Sequence, residues 1–188
     1  MKAFKILVIL IIILGIIYYQ LDRRLFYYGR NDLHIYHLLP LNIQPDYQPP
    51  FEGGFALRNE DGLSVAGKGI AYPVNSRMIW INKVLKYGFS EQNLVAIAID
   101  SNKTKYYLKF YWEPKNRSVV NATMDIDNKP HNSNLYKWID IDANEDYIWK
   151  LVLYRNYLMF TIFILLITLI YKLVRYKKLK SKDSKYTL

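Results

Sequence analysis

The sequence predicts an α+β membrane protein: two transmembrane helices flanking one small β-rich domain of antiparallel sheet. Three observations carry that expectation. Two charge-free apolar runs, 6–19 and 157–171, bracket the chain. Some 125 residues of mixed, soluble-looking sequence lie between them, the size of one domain. Most of the formal net charge of +10 sits beside the apolar runs rather than in the middle.

The first run is short. Its fourteen residues reach about 21 Å as a helix, against a hydrocarbon core of about 30 Å. Residues 4–21 are therefore taken as the first span, with 1–5 as a cytoplasmic N-terminus. Lys5 then snorkels to the headgroups and Tyr18 and Tyr19 mark the opposite interface. A basic start followed by an apolar stretch also fits a cleaved signal peptide. Residues 16–21 offer no small-x-small cleavage site, so an uncleaved signal anchor is the preferred reading.

Residues 22–50 contain Pro40, Pro45, Pro49 and Pro50, which exclude a long helix near them. An extended, Pro-rich arm is expected there. The β-rich domain is placed at 51–146. Within it, 77–84 reads as a strand with Met78, Trp80 and Asn82 on one parity, and Tyr87-Gly88 as a turn. Residues 93–100 read as a strand of small and branched apolar residues (Leu94, Val95, Ile97, Ile99) and 105–112 as an alternating strand, joined by a turn at 101–104 into a hairpin. Tyr107, Lys109 and Tyr111 share one face of the second strand; Tyr106, Leu108, Phe110 and Trp112 share the other. A further strand is expected at 118–124 and a polar loop at 125–134.

Asp142, with Glu145 three residues on, has the pattern of a helix N-cap. No Pro or Gly follows. A juxtamembrane helix at 147–156 is expected to run unbroken into the second span at 157–174. Eighteen residues give about 27 Å. Trp149, Tyr154, Tyr157, Tyr171 and Tyr176 are the expected interface aromatics.

Charge sets the orientation. Lys2 and Lys5 precede the first run, and Arg23, Arg24 and Arg30 follow it, which decides nothing. Seven basic residues follow the second run, against Lys150 and Arg155 just before it. By the positive-inside rule both termini are cytoplasmic and the middle domain is extracytoplasmic. The basic tail at 175–188, with Lys172, is expected to meet anionic lipid headgroups through Lys172, Arg175, Lys177, Lys178, Lys180 and Lys182. Residues 21–156 hold 17 basic and 15 acidic side chains, so no nucleic-acid surface is expected.

Candidate chemistry is sparse. The chain has no Cys, which excludes disulfides, thiolate metal sites and a Cys nucleophile. Asp32, His34 and His37 lie close together, but His131 is the only other His, and a solvated loop is the preferred reading over a metal site. Asp140, Asp142 and Asn144 match the first positions of a calcium loop. Glu145 and Leu151 then stand where Gly and a bidentate Glu are needed. Gly53-Gly54 and Gly67-Lys68-Gly69 read as turns, and no nucleophile elbow or phosphate-binding Gly-rich loop occurs. Asn102, Asn116 and Asn121 begin Asn-x-Ser/Thr sequons, read as chance in an Asn-rich bacterial chain.

Neither a catalytic residue nor a cofactor is therefore expected. The expected role is a non-catalytic one, a protein-interaction or accessory component of the bacterial inner membrane and envelope. A membrane-tethered enzyme or ligand-binding module is the alternative. A small transporter or channel subunit is a third, disfavoured because only Thr161 and Thr168 interrupt the second run with polar groups.

Overall fold

A computed structural model describes residues 2–33, 38–47, 54–74, 76–113, 116–125, 133–142 and 145–183. Two apolar helices near the termini flank antiparallel β-sheets. The chain forms two compact units, one of 1–22 with 150–188 and one of 23–149.

The first unit is built on helix α1 (Lys2–Phe26) and helix α2 (Glu145–Asp183), both unbroken. Each contains a stretch long and apolar enough to cross a membrane, Phe4–Phe26 and Glu145–Tyr176. The side chains of these stretches face outward: Ile6, Ile12, Ile16, Phe160, Phe163 and Ile170 are all more than half exposed. Partly covered residues recur every three or four positions: Leu7, Ile11, Leu14 and Tyr18 on α1, and Leu158, Ile162, Leu165 and Leu169 on α2. That spacing puts the partly covered residues on one face of each helix.

Among the described residues the second unit holds ten strands. Strands β1 (Gln44–Tyr47), β2 (Phe55–Arg58) and β3 (Ser64–Ala66) make a three-stranded sheet, and β4 (Ala71–Val74) and β5 (Arg77–Trp80) a two-stranded one. The largest sheet joins β6 (Lys83–Phe89), β7 (Leu94–Ile99), β8 (Lys105–Glu113), β9 (Asn116–Asp125) and β10 (Lys137–Asp140) in the order β10-β6-β7-β8-β9. The strand pairings are antiparallel. The predicted hairpin is present: Ala96 faces Leu108 and Ile97 faces Tyr107 across β7 and β8. Its face assignment holds for the described side chains, with Tyr106, Leu108 and Phe110 buried and Tyr111 exposed.

Two hairpin turns share one construction. In each, the first residue's amide and carbonyl close the loop, and its side-chain oxygen accepts the amide of the residue four positions on. Asn59 Oδ1 takes the Leu63 amide and Asp100 Oδ1 the Thr104 amide, both at 2.8 Å. The fourth residue is left-handed in both, Gly62 at φ 75° and Lys103 at φ 64°. Glycine suits that position; lysine pays for it in backbone strain.

The region expected as an extended arm is largely built into the domain. Helix α1 continues to Phe26 and ends in a Schellman cap: the Gly29 amide donates to Phe26 O at 2.9 Å and the Arg30 amide to Leu25 O at 3.1 Å. Gly29 is left-handed, and a Cβ there would collide with the Asp46 backbone. Leu25, Phe26, Leu39 and Ile43 are buried. Proline did not prevent strand formation: Pro45 lies inside β1, opposite Leu57. Residues 48–50 of the arm lie outside the described residues.

The strand expected over 77–84 is two strands. Ile81 still bonds to Ile70, while the Asn82 amide donates to Ile99 O at 2.7 Å, so the chain changes sheets between these residues. Tyr87-Gly88 is not a turn but the interior of β6. Gly88 is needed there because Trp138, its partner on β10, lies over it: a Cβ would stand 2.9 Å from the indole. Tyr87 is fully buried. Its ring stacks between Phe55 at 5.7 Å and Phe89 at 6.2 Å, and its hydroxyl donates to Tyr27 O at 2.6 Å. The tip expected as a polar loop falls mostly on residues that are not described.

Candidate functional site

Two places bring polar groups together. The first lies within the helix unit. Asp22 stands one residue beyond the predicted first span and Arg155 two residues before the second apolar run. Arg155 Nη1 donates to Asp22 Oδ1 at 2.8 Å, with side chains 6% and 0% exposed. A charge-assisted hydrogen bond at that depth joins the two helices. Removing either partner alone would leave a buried charge uncompensated. Nothing local in the sequence pairs residues so far apart. The available signal was that each ends an apolar run with a charge of opposite sign.

The second place is a cavity of about 250 Å³ lying wholly within 23–149. Its polar lining is Tyr28, Arg30, Tyr47, Lys68, Asn82, Lys83 and Glu145; Phe55, Ile141 and Ile148 supply apolar wall. The Schellman cap sends Arg30 out of the helix end, where its guanidinium lies 3.5 Å from the Tyr47 ring centroid and 4.2 Å from that of Trp149. Burial pushes the Arg30 guanidinium below its ordinary pKa, against the raising influence of Tyr47 and Glu145. Burial, with Tyr147 and Asp140 adding to it, raises the Tyr28 hydroxyl, which stays a neutral donor. Lys83 pairs with Asp142, and that hydrogen bond raises the lysine's pKa. Lys68 is exposed at the rim.

The predicted site residues are distributed as follows. Asp142 engages Lys83; the adjoining residues 143 and 144 of the predicted cap lie outside the described residues. Among the described residues no group of three or more His, Asp or Glu side chains is placed to hold a metal. Asp32 is described, but His34, His37 and His131 are not. Asn102 lies exposed on the β7–β8 turn, and Asn116 and Asn121 lie in β9. Of the aromatics assigned to interfaces, Tyr18 is half-buried, whereas Tyr19, Tyr154, Tyr157, Tyr171 and Tyr176 are exposed. Trp149, also placed among them, carries the Arg30 guanidinium. Lys172 and Arg175 are exposed on α2; the side chains of Lys177, Lys178, Lys180 and Lys182 are not described.

Elsewhere on the domain, Met78 and Trp80 stand about 60% exposed on one face of β5. The Thr161 and Thr168 hydroxyls donate back to Tyr157 O and Ile164 O within α2, each at 2.9 Å. In comparisons with protein-family models, curated proteins and solved structures, nothing matches this chain.

Proposed function

We propose that this chain is a two-span protein of a bacterial inner membrane. Both termini lie on the cytoplasmic side and the β domain is displayed on the other. It acts there as a non-catalytic interaction or accessory component of the envelope. The observation that carries the reading is the helix pair: two helices with outward-facing apolar side chains, joined at one end by a buried ion pair. In water such surfaces would be costly; in lipid they are the ordinary exterior of a bundle. The basic residues after the second apolar run support the orientation.

For the interaction role, support comes from Met78 and Trp80, residue types enriched at protein interfaces. The expected partner is another membrane or envelope protein. A transporter role gains no support from Thr161 and Thr168, whose hydroxyls are spent on their own helix.

Reporter fusions test the topology. A fusion at Leu188 should report cytoplasm and an insertion after Asn128 the opposite side; the reverse pair of results overturns the orientation. Alkaline extraction should leave the chain in the membrane pellet, and release into the supernatant would refute the spans. Cross-linking and pull-down from detergent test the interaction role, which a repeated absence of any specific partner would remove.

A further inference from the structure

The Arg30 cavity has the composition of a receptor for an anion. We propose that it binds a phosphate group, carried either by a small phosphorylated molecule or by a phospholipid headgroup. Arg30, Lys68 and Lys83 bring three cations to it, against the carboxylate of Glu145. Lys83 and the nearby Asp142 carboxylate neutralise one another, so the excess of positive charge rests on Arg30 and Lys68 against Glu145. The balance is positive in a domain that is otherwise almost neutral.

Geometry adds to charge. The Arg30 guanidinium is held over Tyr47 and Trp149, so its orientation is largely set before a ligand arrives. A planar fork of donors held in place matches phosphate oxygens better than a mobile side chain does. Tyr28 and Asn82 add neutral hydrogen-bonding groups, and Phe55 and Ile148 offer a wall for the carbon part. The volume of about 250 Å³ lies just below the range of about 300–1,000 Å³ usual for drug-sized ligands, which suits a headgroup-sized molecule.

The full chain in a maltoside detergent, which contributes no phosphate, provides the test. Inorganic phosphate, glycerol 3-phosphate and dihexanoyl-phosphatidylglycerol are titrated separately, with acetate as the carboxylate control. Tryptophan fluorescence and the unfolding midpoint are followed. At least one phosphate probe should bind saturably, and Lys68→Ala should weaken it about tenfold. Lys103→Ala, which removes an exposed charge on the β7–β8 turn, should leave affinity unchanged.

Binding of the soluble phosphates identifies a free metabolite as the source; binding of the lipid alone identifies a headgroup. No saturable binding of any phosphate probe overturns the proposal. So does acetate binding as tightly as phosphate, or equal losses in the two lysine variants. Lys68 and Lys103 are both exposed, so neither substitution threatens the fold. The outcome is independent of the membrane topology, which the fusions test.

Discussion

Arg155 Nη1 and Asp22 Oδ1 meet at 2.8 Å, each side chain almost wholly withdrawn from solvent. Asp22→Ala or Arg155→Met alone should cost about 3–5 kcal/mol, because each leaves a buried charge without its counter-ion. The double variant Asp22→Leu/Arg155→Met should recover most of that loss. Unfolding of the full chain in detergent, arranged as a double-mutant cycle, reads the coupling. Single variants as stable as the parent would show that the pair contributes nothing.

The same contact predicts a register for antiparallel packing of the two helices. Antiparallel packing from the ion pair would bring Tyr18 towards Leu158 and Ile11 towards Leu165. The chain contains no Cys, so introduced pairs give a clean signal. Ile11→Cys with Leu165→Cys should form an intramolecular disulfide under mild oxidation. Ile12→Cys with Leu166→Cys, both on exposed positions, should not. Equal cross-linking of the two pairs would refute that packing.

Gly29 is asked for two things at once, a left-handed backbone and an open approach to Asp46. Gly29→Ala offends both and should destabilise the β domain by about 2 kcal/mol or more. It should also disturb Arg30, the next residue, and with it the cation–aromatic contact to Trp149. A thermal unfolding midpoint matching the parent's would contradict this account of the helix cap.

The two matched hairpin turns predict opposite effects of opposite exchanges. Lys103→Gly should stabilise by about 0.5–1 kcal/mol, because relief of the left-handed strain outweighs glycine's extra unfolded-state entropy. Gly62→Ala should lose about 1 kcal/mol although its Cβ would enter open space. Denaturant midpoints measure both. A destabilised Lys103→Gly variant would mean that the lysine side chain does more there than occupy the turn.

Burial holds the Tyr87 hydroxyl well above its ordinary pKa of 10.0 and raises that of Tyr72 as well. In the unfolded chain these phenols ionise near pH 10, whereas in the folded chain they keep their protons to higher pH. Their contribution to stability is therefore complete below about pH 10 and is lost as pH rises from there through the folded pKa. Tyr87→Phe should cost about 1–2 kcal/mol at neutral pH, since the buried Tyr27 carbonyl loses its donor. It should also make the fall in stability above pH 10 shallower. A parallel alkaline slope in parent and variant would exclude Tyr87 as its source.

What could be read from the sequence was what repeats at short range. In the β7–β8 hairpin a continuous apolar run of six residues and an alternating strand of nine flank a polar turn, and both apolar helices announce themselves by composition. Strands β2 to β5 span only three or four residues each, too few for a period to show. The prolines of 22–50 pointed away from regular structure, yet Leu39 and Ile43 beside them enter the core. Gly29 was a legible helix stop, but α1 had already been ended at residue 21 by its hydropathy. The cavity draws on side chains from Tyr28 to Ile148, and no local pattern assembles such a set. The ion pair is of the same kind, a contact made only by folding.

The 133 positions between Asp22 and Arg155 also have a meaning in time. At about 5–20 residues per second, a ribosome needs roughly 7–27 s to pass from one to the other. For that interval Asp22 has been made and Arg155 has not. The buried pair can therefore close only after the whole β domain has been synthesised, which makes it one of the last contacts open to the chain.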